Sequence, residues 1–115
     1  MGSSELKVGI LGGTFDPPHI AHLRIAEEAR ETFAIDEVWF CPAFDPPHRK
    51  EKPKATFEER LLMTKLAVQK NPSLKVIDIE RGEIPSYTIT TLKKLKKLYP
   101  EIKFCLIIGW DSFLE

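Results

Sequence analysis

The sequence has little from which a disulfide framework, a membrane span or a polyanion-binding surface could be built. Its 115 residues include two cysteines, Cys41 and Cys105, which form no C-x-x-C pair. We therefore expect both to be buried, reduced thiols of a cytoplasmic protein. Seventeen basic and seventeen acidic residues cancel, which gives no reason to expect a nucleic-acid or membrane partner. No apolar run approaches the ~18 residues of a membrane span, and no secretory leader is visible.

The chain does contain enough apolar sequence for one globular domain. It is 43% hydrophobic, which suits a folded rather than a disordered protein. Residues 1–5 are interpreted as a tag remnant or a disordered start, and residues 6–115 as a single domain. The predicted strands are Lys7–Leu11, Glu37–Cys41, Lys75–Ile79 and Lys103–Ile108, and the predicted helices are Ile20–Phe33, one that begins after Thr56, and Thr88–Leu98.

Strands that alternate with helices predict an α/β fold. Right-handed crossovers would give a mostly parallel sheet with helices on both faces. Ligands of such sheets bind beyond the carboxyl ends of the strands. The loops that follow the four strands should therefore gather at one edge, and they are Gly12–Pro18, Ala43–Lys50, Arg81–Thr88 and Gly109–Ser112.

Each predicted helix has an apolar stripe that we expect to face the sheet. Thr56 followed by Glu59 predicts a capping box at the start of the second helix. Arg60 in that helix is interpreted as an exposed residue rather than a ligand. The expected stripes are Ile20, Leu23, Ala26 and Phe33 in the first helix, Phe57, Leu61, Leu62 and Leu66 in the second, and Ile89, Leu92, Leu95 and Leu98 in the third.

The segment from Gly12 to His22 combines a glycine turn with a helix start. It reads G-G-T-F-D-P-P-H-I-A-H and lies between the first strand and the first helix. Paired glycines let the backbone approach a ligand, and the first turn of a helix offers N–H groups to an anion. His19 and His22, three residues apart, face the same way. The pattern predicts a phosphate site, although the G-x-G-x-x-G dinucleotide pattern is absent.

This segment resembles the signature of the H-x-G-H nucleotidyltransferase superfamily, and G-G-T-F-D-P-P-H is most similar to that of the nicotinate-nucleotide adenylyltransferases. Three further segments, Pro46–Lys50, Pro85–Ile89 and Ile107–Ser112, agree in order and rough spacing. The resemblance covers nearly the whole chain. It implies a Rossmann-like nucleotidyltransferase fold and an NAD-biosynthetic transferase that makes deamido-NAD and pyrophosphate from ATP and nicotinate mononucleotide.

The resemblance also implies roles for individual residues. His22, with His19 second to it, would be catalytic at the α-phosphate of ATP. Magnesium would be carried on the ATP, and no residue is expected to hold a resident metal. Residues expected at ATP are Gly12, Gly13, Thr14, Phe15, His19, His22, Gly109 and Asp111. Those expected at the nicotinate nucleotide are Thr14, Phe15, Arg49, Lys50, Ser86, Tyr87 and Thr88.

Most of these residues also have a plain structural interpretation, which the sequence leaves open. The two histidines would then cap or pack the helix, Phe15 would lie in the core, and Asp16 would stabilise the turn. Arg49 and Lys50 would be a solvated pair, Ser86 or Thr88 a helix cap, and Asp111 the start of a helix. A zinc site built from His19, His22 and His48 is a weaker alternative.

Several features depart from the family pattern. Ala21 stands for the usual glycine, Arg49 for lysine, Thr90 for an acidic residue and Trp110 for a smaller one. The sequence ends at Glu115 before the expected triphosphate-binding motif. We therefore expect a C-terminally truncated domain that is weakly active or inactive. We also expect it to be marginally stable or to self-associate through apolar residues of the fourth strand, Phe104, Leu106 and Ile108. Another acceptor (nicotinamide mononucleotide or phosphopantetheine) and a non-catalytic nucleotide-binding fragment are the alternative functions.

Overall fold

Four parallel strands form one sheet in the order β3-β2-β1-β4. The computed structural model describes residues 6–18, 20–43, 54–79 and 88–107, with the backbone alone for 88–90. The strands are β1 (Lys7–Gly13), β2 (Glu37–Pro42), β3 (Leu74–Val76) and β4 (Lys103–Ile107), and the helices are α1 (Ile20–Phe33), α2 (Phe57–Val68) and α3 (Thr88–Leu98). Elements agree with the predicted ones to within two residues at most boundaries, but β3 stops three residues short of Ile79.

The strand order contains a reversal next to β1. The chain moves outward from β1 through β2 to β3 and then returns to place β4 on the opposite side of β1. In the register, Ile10 of β1 lies opposite Trp39 of β2 and Leu106 of β4. Ligands of open parallel sheets bind beyond the carboxyl ends of the strands at such a reversal. The predicted Rossmann-like α/β fold is therefore confirmed, and the rule predicts its binding crevice between the ends of β1 and β4.

Side chains of the sheet alternate between two apolar layers, as the period of two requires. Leu11, Val38 and Phe40 pack with residues of α1 and α2, while Val8 and Ile10 pack with Leu95 of α3. Both faces of β1 and β2 are thus buried, which explains why these strands are apolar runs rather than alternating ones. Within the described ranges, no helix is both long and apolar enough to cross a bilayer.

The start of α2 and the end of α1 follow from local sequence signals. The Thr56 hydroxyl accepts from the Glu59 amide at 3.1 Å, and the Glu59 carboxylate accepts from the Thr56 amide at 2.9 Å. The predicted capping box is confirmed. Ala34, directly after α1, has a φ of 54°, the left-handed conformation that commonly ends a helix.

The predicted helix stripes were partly wrong. In α2 the buried residues are Phe57, Arg60, Leu61, Thr64 and Val68, whereas Leu62 and Leu66 are exposed. The buried stripe of α2 includes the polar residues Arg60 and Thr64. Because the prediction used apolar positions only, it placed the buried face of the helix too far around its axis. The other misplaced residues, Ile20, Phe33 and Leu98, are the first or last residues of their helices and are exposed.

The two cysteines differ in exposure. Cys41 is buried as expected, but Cys105 is exposed, which corrects the prediction that both are buried. Cys105 and the partly exposed Leu106 lie on β4, which pairs with β1 on one side and has no second strand in the described part of the chain. Phe104 does not lack neighbours, since its ring lies 5.6 Å from that of Trp39. Ile108 lies outside the described residues.

Glu37 links β2 to the edge strand β3. Its carboxylate accepts from Lys75 Nζ at 2.8 Å and from the Trp39 indole N–H at 2.9 Å. Burial alone would raise the pKa of Glu37, but the hydrogen bonds from Lys75 and Trp39 and the charge of Lys75 leave it below its ordinary value of 4.5. The ionised form is therefore favoured in the folded state.

We predict that Glu37 contributes to stability in a pH-dependent way. Because its pKa is lowered by folding, the contribution is complete above about pH 4.5 and is lost as the pH falls through the folded value. Glu37→Gln should lower the free energy of unfolding by about 0.5–1 kcal/mol at neutral pH and by less in acid. Urea unfolding at both pH values measures this, with the exposed Glu31→Gln as the control. A deficit that grows in acid would contradict it.

Candidate functional site

The two glycines at the end of β1 have different surroundings. A Cβ at Gly12 would have one described heavy atom within 4 Å, the Cys41 carbonyl oxygen at 3.9 Å. A Cβ at Gly13 would lie 3.2 Å from the ring of Phe15. Neither has a φ in the left-handed region. An alanine at Gly13 would need the packed Phe15 ring to move by a few tenths of an ångström, whereas the described residues leave space on the side of the turn that a Cβ at Gly12 would occupy.

The turn after β1 presents its backbone to the crevice at the strand reversal. The Gly13 carbonyl accepts from the Ala43 amide at 2.9 Å, on the β2 side of β1. Since a trans peptide is planar, the Thr14 N–H points the opposite way, toward the β4 side. This is the side on which sheets of this topology bind ligands.

Phe15 has a strained backbone and a buried side chain. Its φ is 54° and its side chain is 2% exposed. The ring lies 5.5 Å from the ring of Phe40 and meets the His22 ring edge to face at 4.9 Å. Of the two interpretations of this residue, the ring belongs to the core, and a left-handed conformation in a bulky residue is typical of functional turns. Contact with a ligand would come from its backbone.

His22 lies in the first turn of α1 and is half-buried. Its contact with Phe15 places it directly behind the glycine turn. A helix start carries partial positive charge from its backbone amides, so an imidazole here lies where an anion is favoured. His19, its predicted partner, lies outside the described residues, so the pairing of the two stays a prediction.

Asp16 forms hydrogen bonds with residues that are distant in the sequence. Its carboxylate oxygens accept from the backbone amides of Lys54 at 2.7 Å and Ala55 at 3.1 Å. These are the residues just before the Thr56 cap of α2. The expectation that Asp16 has a structural role agrees with these contacts, but the backbone that it stabilises belongs to a distant part of the chain.

Arg60 is a correction to the sequence analysis, because its side chain is buried rather than exposed. It is 2% exposed, and its guanidinium lies 5.6 Å from the centre of the Phe57 ring. Nη1 donates to the Thr14 carbonyl at 3.0 Å and the Ala43 carbonyl at 2.6 Å, while Nε donates to Ala55 at 3.2 Å. The carbonyls of three segments thus share one cation.

The sequence contains a signal that Arg60 is buried. It lies three residues after Phe57 and four before Thr64, both of which are buried on α2, so helical spacing places it on the inner face. Arginine on an inner face needs polar partners. Carbonyl groups at the carboxyl ends of the strands provide them here, and sequence alone gives no means of locating those carbonyls.

Several predicted site residues lie outside the described part of the chain. Thr88 begins α3, and only its backbone is described. Across the ranges 6–18, 20–43, 54–79 and 88–107, no three His, Cys, Asp or Glu residues could together hold a metal ion. The predicted residues outside the description are His19, Arg49, Lys50, Ser86, Tyr87, Gly109 and Asp111, together with His48 of the alternative zinc site.

Comparison with known proteins agrees with the fold and the motifs. Residues 10–115 match the family described as cytidylyltransferase-like. The probable nicotinate-nucleotide adenylyltransferases of Geobacter sulfurreducens and Exiguobacterium sibiricum are 50% and 46% identical over 111 residues, which are 96% of this chain and 51% and 58% of those proteins. The resemblance found in the sequence is confirmed. The chain spans about half the length of the curated relatives it matches.

Solved structures show the same fold at lower identity. Plasmodium falciparum nicotinic acid mononucleotide adenylyltransferase complexed with NaAD has a TM-score of 0.73 and 23% identity, over 89% of this chain and 51% of that one. A putative nicotinate-nucleotide adenylyltransferase from Vibrio parahaemolyticus has a TM-score of 0.75 and 21% identity, over 95% of this chain and 64% of that one.

The two glycines should respond differently to an added methyl group. Gly12→Ala should change the free energy of unfolding by less than about 0.5 kcal/mol yet weaken binding of an ATP analogue about tenfold, because the methyl fills space that the described fold leaves open. Gly13→Ala presses on the Phe15 ring and should cost about 1–3 kcal/mol of stability. Urea unfolding and calorimetric titration measure both. Unchanged affinity in Gly12→Ala would show that no ligand approaches there.

Proposed function

We propose that the turn after β1 and the start of α1 bind ATP and that the adenylyl group of ATP is transferred to nicotinate mononucleotide. The premise is that this chain belongs to the cytidylyltransferase-like family. The observation that carries the proposal is the space that the described residues leave at Gly12, with the Thr14 amide directed to the strand reversal and the His22 ring against that of Phe15. Relatives about 50% identical to the chain bear the name of this activity.

The chemistry fits a site built from backbone amides and an imidazole. An oxygen of the acceptor phosphate attacks the α-phosphorus of ATP, a new P–O bond forms, and the bond to the β-phosphate oxygen breaks to release pyrophosphate. The attacking oxygen is already ionised at neutral pH, so no strong base is needed. Catalysis then consists of positioning the two nucleotides and stabilising charge on the α- and β-phosphates.

His22 is proposed to donate to the α-phosphate as its charge grows, with His19 alongside. Nucleotidyl transfer generally uses a divalent cation, which we assign as magnesium on the phosphate oxygens of the ATP substrate. The proposed cellular location is the cytoplasm. The resemblance implies that Gly109 and Asp111 bind the ribose of ATP. It assigns the acceptor nucleotide to Arg49, Lys50, Ser86, Tyr87 and Thr88.

Ligand choice tests the proposed function. Binding is the primary readout, because the chain spans about half the length of its curated relatives. The folded protein should bind a non-hydrolysable ATP analogue and nicotinate mononucleotide in calorimetric titrations. Nicotinamide mononucleotide should bind about tenfold more weakly, since it lacks the carboxylate that amides at a helix start favour. Product analysis by mass spectrometry should detect deamido-NAD and pyrophosphate in any active form of the protein.

Each alternative function gives a distinct result in the same titrations. Equal affinity for the nicotinate and nicotinamide nucleotides would reject the acceptor assignment. Preference for phosphopantetheine would favour the related adenylyltransferases. Binding of the ATP analogue without binding of any acceptor would support a nucleotide-binding fragment, and a folded chain that binds no nucleotide would overturn the proposal.

His22 should affect turnover far more than ATP binding. In an active form of the protein, His22→Ala is expected to lower kcat about 100-fold or more, with a much smaller change in the Kd of ATP, because the charge that it meets develops in the transition state. His22→Phe is the matched variant, since it keeps a ring against Phe15. Wild-type turnover in His22→Phe would assign the histidine a packing role alone.

We also propose that the 115-residue chain self-associates through β4. A strand edge with exposed apolar side chains is a site of association. In the part of the chain that the structure describes, no strand pairs with the outer edge of β4, and Leu106 on this strand is 39% exposed. Light scattering should show a species larger than a monomer, and Leu106→Lys should reduce it by placing a charge on the edge. A monodisperse wild-type monomer would contradict this proposal.

A further inference from the structure

A buried arginine connects the glycine turn with two other chain segments. The Arg60 side chain reaches from α2 to the Thr14 carbonyl after β1, the Ala43 carbonyl after β2 and the Ala55 carbonyl before α2. Asp16 adds a second connection, because its carboxylate accepts from the amides of Lys54 and Ala55. We refer to Arg60, Asp16 and these backbone partners as the clamp.

The clamp determines the direction of backbone amides in the turn. Arg60 holds the Thr14 carbonyl, so the N–H of Phe15 in the same planar peptide points away from the guanidinium. Arg60 also holds the carbonyl of Ala43, whose own N–H donates to the Gly13 carbonyl and thereby directs the Thr14 N–H toward the β4 side. One cation therefore orients two successive amides at the proposed phosphate site.

We infer that Arg60 is a positioning residue for nucleotide binding, which acts through the backbone of Thr14 and Phe15 without touching the ligand. This inference rests on the proposed function, because ATP is the ligand whose phosphates those amides would meet. Phe15 supports it with its φ of 54°, since a sparsely populated conformation persists only where surrounding contacts hold it. The Arg60 guanidinium is a charged donor, and charged donors form stronger hydrogen bonds to carbonyls such as that of Thr14 than neutral donors do.

The geometry distinguishes arginine from lysine. In its hydrogen bonds to described residues, Arg60 uses two separate nitrogens, Nη1 for Thr14 and Ala43 and Nε for Ala55. A lysine ammonium is a single nitrogen with three donors. Placed near Nη1 it can serve the first two carbonyls but not the third. Arg60→Lys should therefore keep most of the amide positioning, while Arg60→Met, similar in length and apolar, should lose it.

The test compares Arg60→Met and Arg60→Lys with wild type, using Lys65→Met as the control because it removes an exposed cation from the same helix. Calorimetry with α,β-methylene-ATP gives the affinity at a temperature where circular dichroism shows each variant folded. Hydrogen exchange by NMR reports the clamp without ligand, at the amides of Ala43, Lys54 and Ala55, which are bonded within it. Amides of the β1–β2 ladder report global opening.

In Arg60→Met we expect the affinity for the ATP analogue to be at least tenfold weaker than in wild type. We also expect exchange at the clamp amides to be at least tenfold faster than the global opening measured at the β1–β2 ladder amides explains. Arg60→Lys should restore affinity to within about threefold, with faster exchange confined to Lys54 and Ala55, and Lys65→Met should change neither readout. Wild-type affinity in a folded Arg60→Met would overturn the inference. If that variant does not fold, a folded Arg60→Lys whose Ala43 amide exchanges as in wild type but whose affinity is more than tenfold weaker would overturn it, because the amides would then be positioned without the affinity.

These outcomes are separate from those that test the proposed function. A folded wild-type chain that does not bind the analogue would overturn the proposed function and ATP as the ligand. Wild-type binding with no effect of Arg60→Met would overturn the positioning role alone. A purely structural role would lower thermal stability while leaving affinity unchanged in the folded variant.

Discussion

The central strand β1 is the constraint on which the described structure depends. It pairs with parallel strands on both sides, and its side chains are buried in both apolar layers. A strand in this position has no polar face, so its only polar groups not used by the ladder are at its ends. The glycine turn is the carboxyl end of this strand. Its backbone is therefore held by the sheet before any ligand arrives.

The turn divides its work between backbone and side chains. The Phe15 ring fills the core and contacts His22, while the Thr14 amide in the same turn points toward the β4 side. Gly13 is small because that ring packs over it, and Gly12 is small where the described fold is open. The two adjacent glycines thus serve separate purposes. A substitution at Gly13 tests packing against Phe15, and a substitution at Gly12 tests the approach of a ligand.

Sequence predicted the order and type of the elements because periodicity and capping are local signals. The Thr56 capping box and the bounds of α1 and α3 are examples. It was less successful for the side chains that the elements bury. Arg60 and Thr64 are polar yet lie inside, and Cys105 is apolar in context yet exposed. Those outcomes depend on which carbonyls and strands lie opposite, which is tertiary information. Roles for His19, Arg49 and Asp111 stay predictions.

Pairing between β1 and β4 has a consequence for how the molecule folds. β1, β2 and β3 with α1 and α2 are successive in the chain, whereas Lys103 at the start of β4 pairs with Lys7 near the start of the sequence. Closing so long a loop is entropically costly, so we expect this pairing to form late. The crevice between β1 and β4 exists only once that last strand is in place. A nucleotide bound there would act as a folding ligand, stabilising the most distant contact of the sheet by mass action.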